Sequence, residues 1–322
     1  MGRFIVGVAG VLLLAVTGCT TTQPQPAPPT DRIPGVALTW AETAALAADY
    51  DNRNNAAIAS TVKASSTSPW TLADTGPTLA ADRFITDAAW NGGERLTPVR
   101  VTFLPKATWA NRFSSYPIWA ITRVGVQNEP AIAGADGDLL VVFRREAASA
   151  PWLVEMTLRV AGVPNPPDDG AGLTTSADVD AALTTMDQVV AFLDQGTRPD
   201  FYVTPDLGHL RGQFSVPQQD EVGATTVACR PFYGTSAPRD SLRVVRSSSG
   251  VLIVMSLLCL QTTTAKPGKT IARPAGYAKA LGVPDGPAAT LTQPWAVMVA
   301  VSRPMKGNAV AVGTDYYAVR AG

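Results

Sequence analysis

The chain has 322 residues and equal numbers of charged residues of each sign, 26 Asp plus Glu and 26 Lys plus Arg. This balance, without a run of basic residues, argues against nucleic-acid binding and against electrostatic attachment to an anionic membrane. Charged residues make up only 16% of the chain and apolar residues 46%. The chain therefore has enough apolar residues for a sizeable core, in one large domain or two ordinary ones.

The first residues have the pattern of a secretory signal. Arg3 is followed by an apolar run from Phe4 to Val16, which is too short to span a bilayer. The tetrapeptide Val16-Thr17-Gly18-Cys19 then resembles the lipobox of bacterial lipoproteins, although Val16 stands where Leu is commoner. The resemblance implies a signal peptide over residues 1–18 and a lipid on the thiol of Cys19. It also implies anchoring to the outer face of the cell membrane. The alternative is an ordinary secreted protein in which Cys19 is incidental.

Changes in composition predict how the rest of the chain is divided. Residues 19–35 are rich in proline and lack apolar periodicity, which predicts an extended tether. A second segment rich in Pro, Gly and Asp, residues 163–175, predicts a linker. We therefore expect two domains, over residues 36–162 and 176–322.

The first domain is predicted to be α+β, with helices packed on a curved antiparallel sheet. A capping box at Thr39 and Glu42 begins a helix, which asparagines at 52, 54 and 55 should interrupt before it resumes over 56–63. A short helix is expected over residues 80–90. Alternating β-branched and apolar residues then predict strands at Leu96–Leu104, Ile118–Val126, Leu139–Arg145 and Trp152–Val160.

The second domain repeats this order. Ser176 is the expected N-cap of an amphipathic helix that Gly196 ends. Ser248-Ser249-Gly250 predicts a hairpin turn, and a short helix is expected at Tyr277–Leu281. Strands are predicted at Val222–Phe232, Leu242–Arg246, Val251–Gln261, Trp295–Ser302 and Ala309–Val319. The third of these is almost wholly apolar, which indicates a central strand covered on both faces.

The chain has three cysteines, and the lipobox assigns Cys19 to the lipid. In an extracytoplasmic setting the other two, Cys229 and Cys259, are expected to form a disulfide. Closing a loop of about thirty residues stabilises a fold by roughly 3–4 kcal/mol in the chain-entropy account. The alternative is that both are small buried apolar side chains, and a strand between theirs would keep the sulfurs apart.

Three segments carry a resemblance to a known family: YDNRNNAA from Tyr50, YPIW from Tyr116, and DLLVVF from Asp138 with APW from Ala150. They resemble uncharacterised actinomycete lipoproteins that carry a domain of unknown function, mainly over the first domain. The order of helix then curved sheet is also similar to the cystatin-like and NTF2-like cone folds. These resemblances imply a fold and a location but no catalytic residues.

The usual catalytic and metal-binding patterns are weak here. The single histidine, His209, lacks zinc ligands or a nucleophile partner at a recognisable spacing and is expected in a loop or turn. Ser60 and Lys63 fit the Ser-x-x-Lys pattern of serine acyltransferases, but the accompanying motifs are missing. Asp136 and Asp138 are better explained by a turn than by a calcium loop. We predict no cofactor and no metal.

The first domain contains most of the tryptophans, which leads to the functional prediction. Trp109, Arg112, Phe113, Tyr116 and Trp119 are candidates for an aromatic pocket at the mouth of the sheet. The alternative is that the aromatic residues form core and a packing surface between the domains. The favoured function is a non-catalytic binding or scaffolding protein that engages an envelope protein or a small apolar or aromatic ligand. The alternative is an envelope enzyme with its active site in that pocket. A pocket that is apolar throughout would favour binding, and two or more converging titratable groups would favour catalysis.

Overall fold

The computed structural model describes residues 38–64, 66–94, 96–111, 113, 115–131, 137–167, 174–215 and 222–320. Cys19 and the proline-rich segment lie outside these residues. The helices are α1 (Trp40–Ala64), α2 (Gly76–Asn91), α3 (Ser176–Gln195), α4 (Pro205–Ser215) and α5 (Tyr277–Leu281). The strands are β1 (Arg100–Ala110), β2 (Ile118–Glu129), β3 (Asp138–Arg145), β4 (Leu153–Val160), β5 (Val222–Pro231), β6 (Leu242–Arg246), β7 (Gly250–Ala265), β8 (Thr290–Pro304) and β9 (Val310–Ala318).

The described strands form one antiparallel sheet of nine, so the α+β class is confirmed. Its order is β1-β2-β3-β4-β9-β8-β7-β5, and β6 pairs with β7 beyond the end of β5. Strands β1 to β4 and strands β5 to β9 each form a half-sheet from one half of the chain. The predicted hairpin turn joins β6 to β7, where the Ser247 amide donates to the Gly250 carbonyl at 2.8 Å.

The two half-sheets meet where β4 runs beside β9. Val160 is paired with Gly313, and the Ala161 amide donates to the Val312 carbonyl at 2.9 Å. A Cβ atom at position 313 would lie 2.5 Å from the Arg159 carbonyl oxygen, so glycine permits this close approach. The two halves therefore share a sheet, and their division into two NTF2-like domains stays a prediction.

Each half-sheet carries a helix layer on one face, which we call its outer face. Helix α1 covers the outer face of β1 to β4, and its core includes Leu46, Tyr50, Phe103, Val124, Val141, Phe143 and Val154. Helices α3 and α4 cover the outer face of β5 to β9, and their core includes Met186, Val189, Leu193, Leu210, Phe214, Ile253, Met255 and Val299. Apolar residues at helical spacing thus meet alternating residues on the strands.

The opposite, inner faces of the half-sheets pack against each other in a third core. It contains Trp109, Ile121, Leu140, Val142, Met156, Leu158, Val245, Leu252, Val254, Met298 and Ala300. Helix α2 comes from the first half of the chain but packs on the second half-sheet, where Ala81 contacts Leu258, Ala296 and Val319. The halves are therefore joined by apolar packing as well as by the β4–β9 pairing.

Three local predictions are corrected by the structure. Helix α1 continues through the asparagines, because the Asn55 side chain pairs with the backbone of Val101 in both directions at 2.8 Å. The N-cap of α3 is Thr175 rather than Ser176, in a reciprocal capping box with Asp178. His209 is exposed on helix α4 rather than in a loop, and its Nε2 atom lies 2.9 Å from Gln213.

Candidate functional site

The aromatic residues predicted to form a pocket are distributed between core and surface. Trp109 is fully buried in the inner-face core, so it presents no surface to a ligand. Phe113 and Trp119 contact each other edge-to-face at 5.3 Å between ring centroids. Tyr116 is half-buried, its hydroxyl has no hydrogen-bond partner among the described residues, and Arg112 lies outside those residues. The structure therefore brings Phe113 and Trp119 together and places Trp109 in the core.

Trp119 lies next to a buried charge cluster that links the two halves of the chain. We call Glu155, Arg144, Arg243 and Tyr233 the Glu155 cluster. Glu155 lies at an irregularity in the β3–β4 pairing, between the paired residues Val154 and Met156, and its carboxylate is completely buried. It accepts from Arg243 Nε at 2.8 Å, Arg144 Nη1 at 3.0 Å and the Tyr233 hydroxyl at 2.8 Å. Arg243 in turn lies 5.8 Å from the centre of the Trp119 ring.

The contacts of the Glu155 cluster indicate a structural role. Glu155 is inaccessible and both of its oxygens are hydrogen-bonded, so the carboxylate has no free position for a substrate. Burial, together with the charge of Glu155, raises the pKa of Tyr233, so the phenol remains protonated as a donor. No local sequence pattern predicts this cluster, because its members come from β4, β3, β6 and the turn after β5.

A second buried polar group lies between α1 and α2. The Tyr50 hydroxyl donates to Asp74 Oδ1 at 3.2 Å, and the side chain of Asp82 lies beside the Asp74 carboxyl group. Burial, and then the nearby Asp82 carboxylate, raises the pKa of Asp74 well above its ordinary value. Burial also raises the pKa of Asp82. This pair can retain protons near neutral pH, but Asp74 is only 1% exposed and cannot meet a substrate directly.

An open cavity of about 210 Å³ lies between the first half of α3 and the outer face of the second half-sheet. We call it the Arg303 cavity. Its polar side chains are Asp178 on α3, Arg246 on β6 and Arg303 on β8. Its apolar wall is formed by Ala181, Val251, Ile253, Pro304 and Met305. The β7–β8 register brings these parts together, since Val251 pairs with Arg303 and Gly250 with Pro304.

The charged groups of the Arg303 cavity are held in place by neighbouring side chains. Arg246 Nη2 lies 2.7 Å from Asp178 Oδ2 in an ion pair. Arg303 Nη1 donates to the Thr185 hydroxyl at 2.8 Å, and among the described residues no carboxylate pairs with Arg303. Partial burial opposes ionisation of Asp178, but hydrogen bonds from Thr175 and the charge of Arg246 together lower its pKa. Asp178 is therefore ionised at neutral pH.

Converging titratable groups were expected in a catalytic pocket, and a wholly apolar lining in a binding pocket. The Arg303 cavity contains converging titratable groups. The chemistry of these groups nevertheless supports recognition of a charged ligand. Arginine does not deprotonate in proteins, and Asp178 is already bonded to the helix terminus and to Arg246. Neither the arginines nor Asp178 therefore provides a group that exchanges a proton near neutral pH.

The Arg303 cavity was not predicted from the sequence. Arg246 and Arg303 are far apart in the chain: Arg246 is the last residue of one strand that was predicted for its apolar residues, and Arg303 directly follows another. Only the pairing register shows that both side chains face α3. A usable signal was the presence of an arginine at the end of each of two strands predicted for one sheet.

Cys229 and Cys259 form the predicted disulfide, since they are directly paired on β5 and β7 with Cα atoms 4.0 Å apart. No strand separates them. Within the described part of the chain, no three His, Cys, Asp or Glu residues are grouped so as to hold a metal. Nor is any helix there long and apolar enough to cross a membrane.

No protein-family model, curated protein or solved structure matches this chain. The resemblance to actinomycete lipoproteins and to the NTF2-like fold therefore stays a prediction from the sequence.

Proposed function

We propose that the chain is a non-catalytic binding protein of the cell envelope, attached to the outer face of the membrane through a lipid on Cys19. We further propose that it binds a small ligand in the Arg303 cavity. The membrane is then a partner only through the lipid.

The cavity is the observation that carries this proposal. It presents an arginine without a carboxylate partner beside an apolar wall, and Thr185 fixes the position of that arginine. Binding sites commonly combine an apolar lining with a few fixed polar groups. In the first half, the full burial of Trp109 favours core packing over a ligand site.

The location part of the proposal is supported by the sequence motif and by the disulfide. The Cys229–Cys259 bond is compatible with an oxidising, extracytoplasmic compartment. The lipobox resemblance at Val16–Cys19 adds the membrane anchor as a proposal.

Native mass spectrometry of protein extracted mildly from cell envelopes tests both parts. The expected mass corresponds to a chain that begins at Cys19 with a covalent lipid and carries one small non-covalent adduct. Arg303→Gln should lose the adduct, because glutamine can still bond Thr185 but carries no charge. Arg239→Gln is the matched control, since Arg239 is exposed, pairs with Asp180 on α3 and does not line the cavity.

A wild-type protein without an adduct, indistinguishable from Arg303→Gln, would contradict the binding function. An unmodified precursor that retains residues 1–18 would contradict the anchor.

A further inference from the structure

From the charges and size of the Arg303 cavity we infer that its ligand is a small monoanion with a short apolar body, such as a short-chain carboxylate. This inference rests on the proposed binding function and specifies the chemical class of the ligand.

The sign of the ligand charge follows from the ion pairs in the cavity. Asp178 and Arg246 neutralise each other at 2.7 Å, which leaves Arg303 as an uncompensated positive charge among the described residues. Thr185 occupies one guanidinium nitrogen, and the other donors of Arg303 have no partner among the described residues. A guanidinium group binds two oxygens of a carboxylate or of a phosphate-like group in a fork. One negative charge on the ligand therefore balances the cavity.

The apolar body of the ligand follows from the apolar wall beside Arg303. Val251 presents a partly exposed aliphatic side chain from β7, and Met305 lines the cavity with 76% of its surface exposed. Methionine is a flexible, polarizable side chain that adapts to different apolar shapes. A bare inorganic anion would leave this wall in water, so the wall favours an anion with a hydrocarbon portion.

The size of the ligand follows from the volume. The open cavity has a volume of about 210 Å³, below the range of roughly 300–1,000 Å³ typical of sites for drug-sized molecules. It corresponds to the liquid volume of about seven water molecules. A chain of about six carbons with a charged head is a suitable probe.

Isothermal titration at low salt with six-carbon probes tests the inference. Hexanoate and hexanesulfonate represent the planar and tetrahedral versions of the monoanion, hexanamide is the neutral isostere of hexanoate, and hexylammonium reverses the charge. Acetate has the carboxylate of hexanoate without its long hydrocarbon chain, and so tests the charged group alone. We expect hexanoate or hexanesulfonate to bind at least about tenfold more tightly than hexanamide and hexylammonium, because a charged-group mismatch typically costs a factor of that order. Acetate should also bind at least about tenfold more weakly, because it lacks the methylene groups that bury apolar surface.

Variants assign the effect to the cavity. Arg303→Gln should weaken binding of the preferred anion about tenfold and remove its advantage over hexanamide, whereas Arg303→Lys should retain part of that advantage. Met305→Ser should weaken the six-carbon anion and leave acetate unchanged. Arg239→Gln should bind as the wild type does, and circular dichroism should show that all variants are folded.

Equal binding of hexanamide and hexanoate, or an anion preference that persists in Arg303→Gln, would overturn the inferred class while leaving a small-ligand function in place. If no probe binds and extracted protein carries no adduct, both the class and the binding function are overturned.

Discussion

Helices α1 and α3 occupy corresponding places, each on the outer face of the half-sheet that follows it in the chain. Each also uses an aspartate to bind the backbone of an edge strand. Asp51 on α1 accepts from the Phe103 amide of β1 at 3.1 Å, and Asp194 on α3 accepts from the Cys229 amide of β5 at 2.8 Å. These contacts occupy donors that an edge strand would otherwise offer to another chain.

The two halves differ in what reinforces this contact. In the first half, Asn55 adds two further hydrogen bonds to β1, at Val101. In the second half, the disulfide ties β5 to β7 at Cys229 itself. Burial raises the pKa of Asp51 to about 7, against the opposing effects of the Phe103 amide and Arg100. The first edge therefore depends on polar side chains, of which Asp51 titrates, and the second depends on a covalent bond.

The largest expected effect comes from removing the charge that joins the halves. Glu155→Gln leaves the buried Arg243 without its carboxylate and leaves the partly buried Arg144 with only the exposed Glu146. This should lower the free energy of unfolding by about 3–5 kcal/mol. Urea denaturation gives this value. Glu146→Gln is the control, since Glu146 also pairs with Arg144 but is 54% exposed, and it should change stability by less than about 0.5 kcal/mol. Equal effects of the two variants would contradict the structural role of the Glu155 cluster.

Removing the disulfide should affect the second edge. The cysteines are 30 residues apart, so Cys229→Ala with Cys259→Ala should cost about 3–4 kcal/mol in the chain-entropy account. Amide hydrogen exchange should accelerate most along β5, while β1 keeps its protection relative to the rest of the protein. Equal acceleration of amide hydrogen exchange in β1 and β5 would show that the two edge strands do not respond separately to loss of the disulfide.

A smaller, pH-dependent effect is expected at Asp51. Because the folded-state pKa is raised above the unfolded value, this group favours folding below about pH 4, and that contribution is lost as pH rises through about 7. Asp51→Asn keeps an acceptor for the Phe103 amide without the charge. The variant should match the wild type near pH 4 and exceed its stability by about 1–2 kcal/mol at pH 8, allowing for partial solvent screening. If the free energies of unfolding of the variant and the wild type change in parallel with pH, the raised pKa of Asp51 is contradicted.

The smallest effect is expected at Asp194, where burial also raises the pKa. Asp194→Asn should change stability by less than about 0.5 kcal/mol at pH 8, because the disulfide holds β5 whether or not the carboxylate is charged. In the Cys229→Ala, Cys259→Ala background the same substitution should have a larger effect. A double-mutant cycle measures the difference, and additivity would show that the disulfide and Asp194 act independently.

The sequence predicted the features that local patterns determine. The α+β class, the capping box at Thr39, the turn before Gly250 and the Cys229–Cys259 bond all follow from residues close together in the chain or from cysteines in predicted strands. Helix α4 also had a signal, because Leu207, Leu210 and Phe214 recur at helical spacing. Gly208 and Gly212 disfavour helices, so α4 was not predicted.

Contacts between distant segments could not be predicted in this way. The β4–β9 junction depends on a register in which Val160 meets Gly313, and no local pattern encodes that pairing. The same holds for Arg303, which reaches the cavity because β8 runs beside β7. The continuity of α1 depends on Asn55 meeting β1, a tertiary contact that offsets the low helix propensity of asparagine.

We expect ligand binding to occur at the Arg303 cavity of the second half. Amide chemical-shift mapping during a titration with hexanoate tests this location. We predict the largest changes at Val251, Ile253, Arg303 and Met305, and their loss in Arg303→Gln. Changes centred on Phe113 and Trp119, or none at any amide, would contradict the claim.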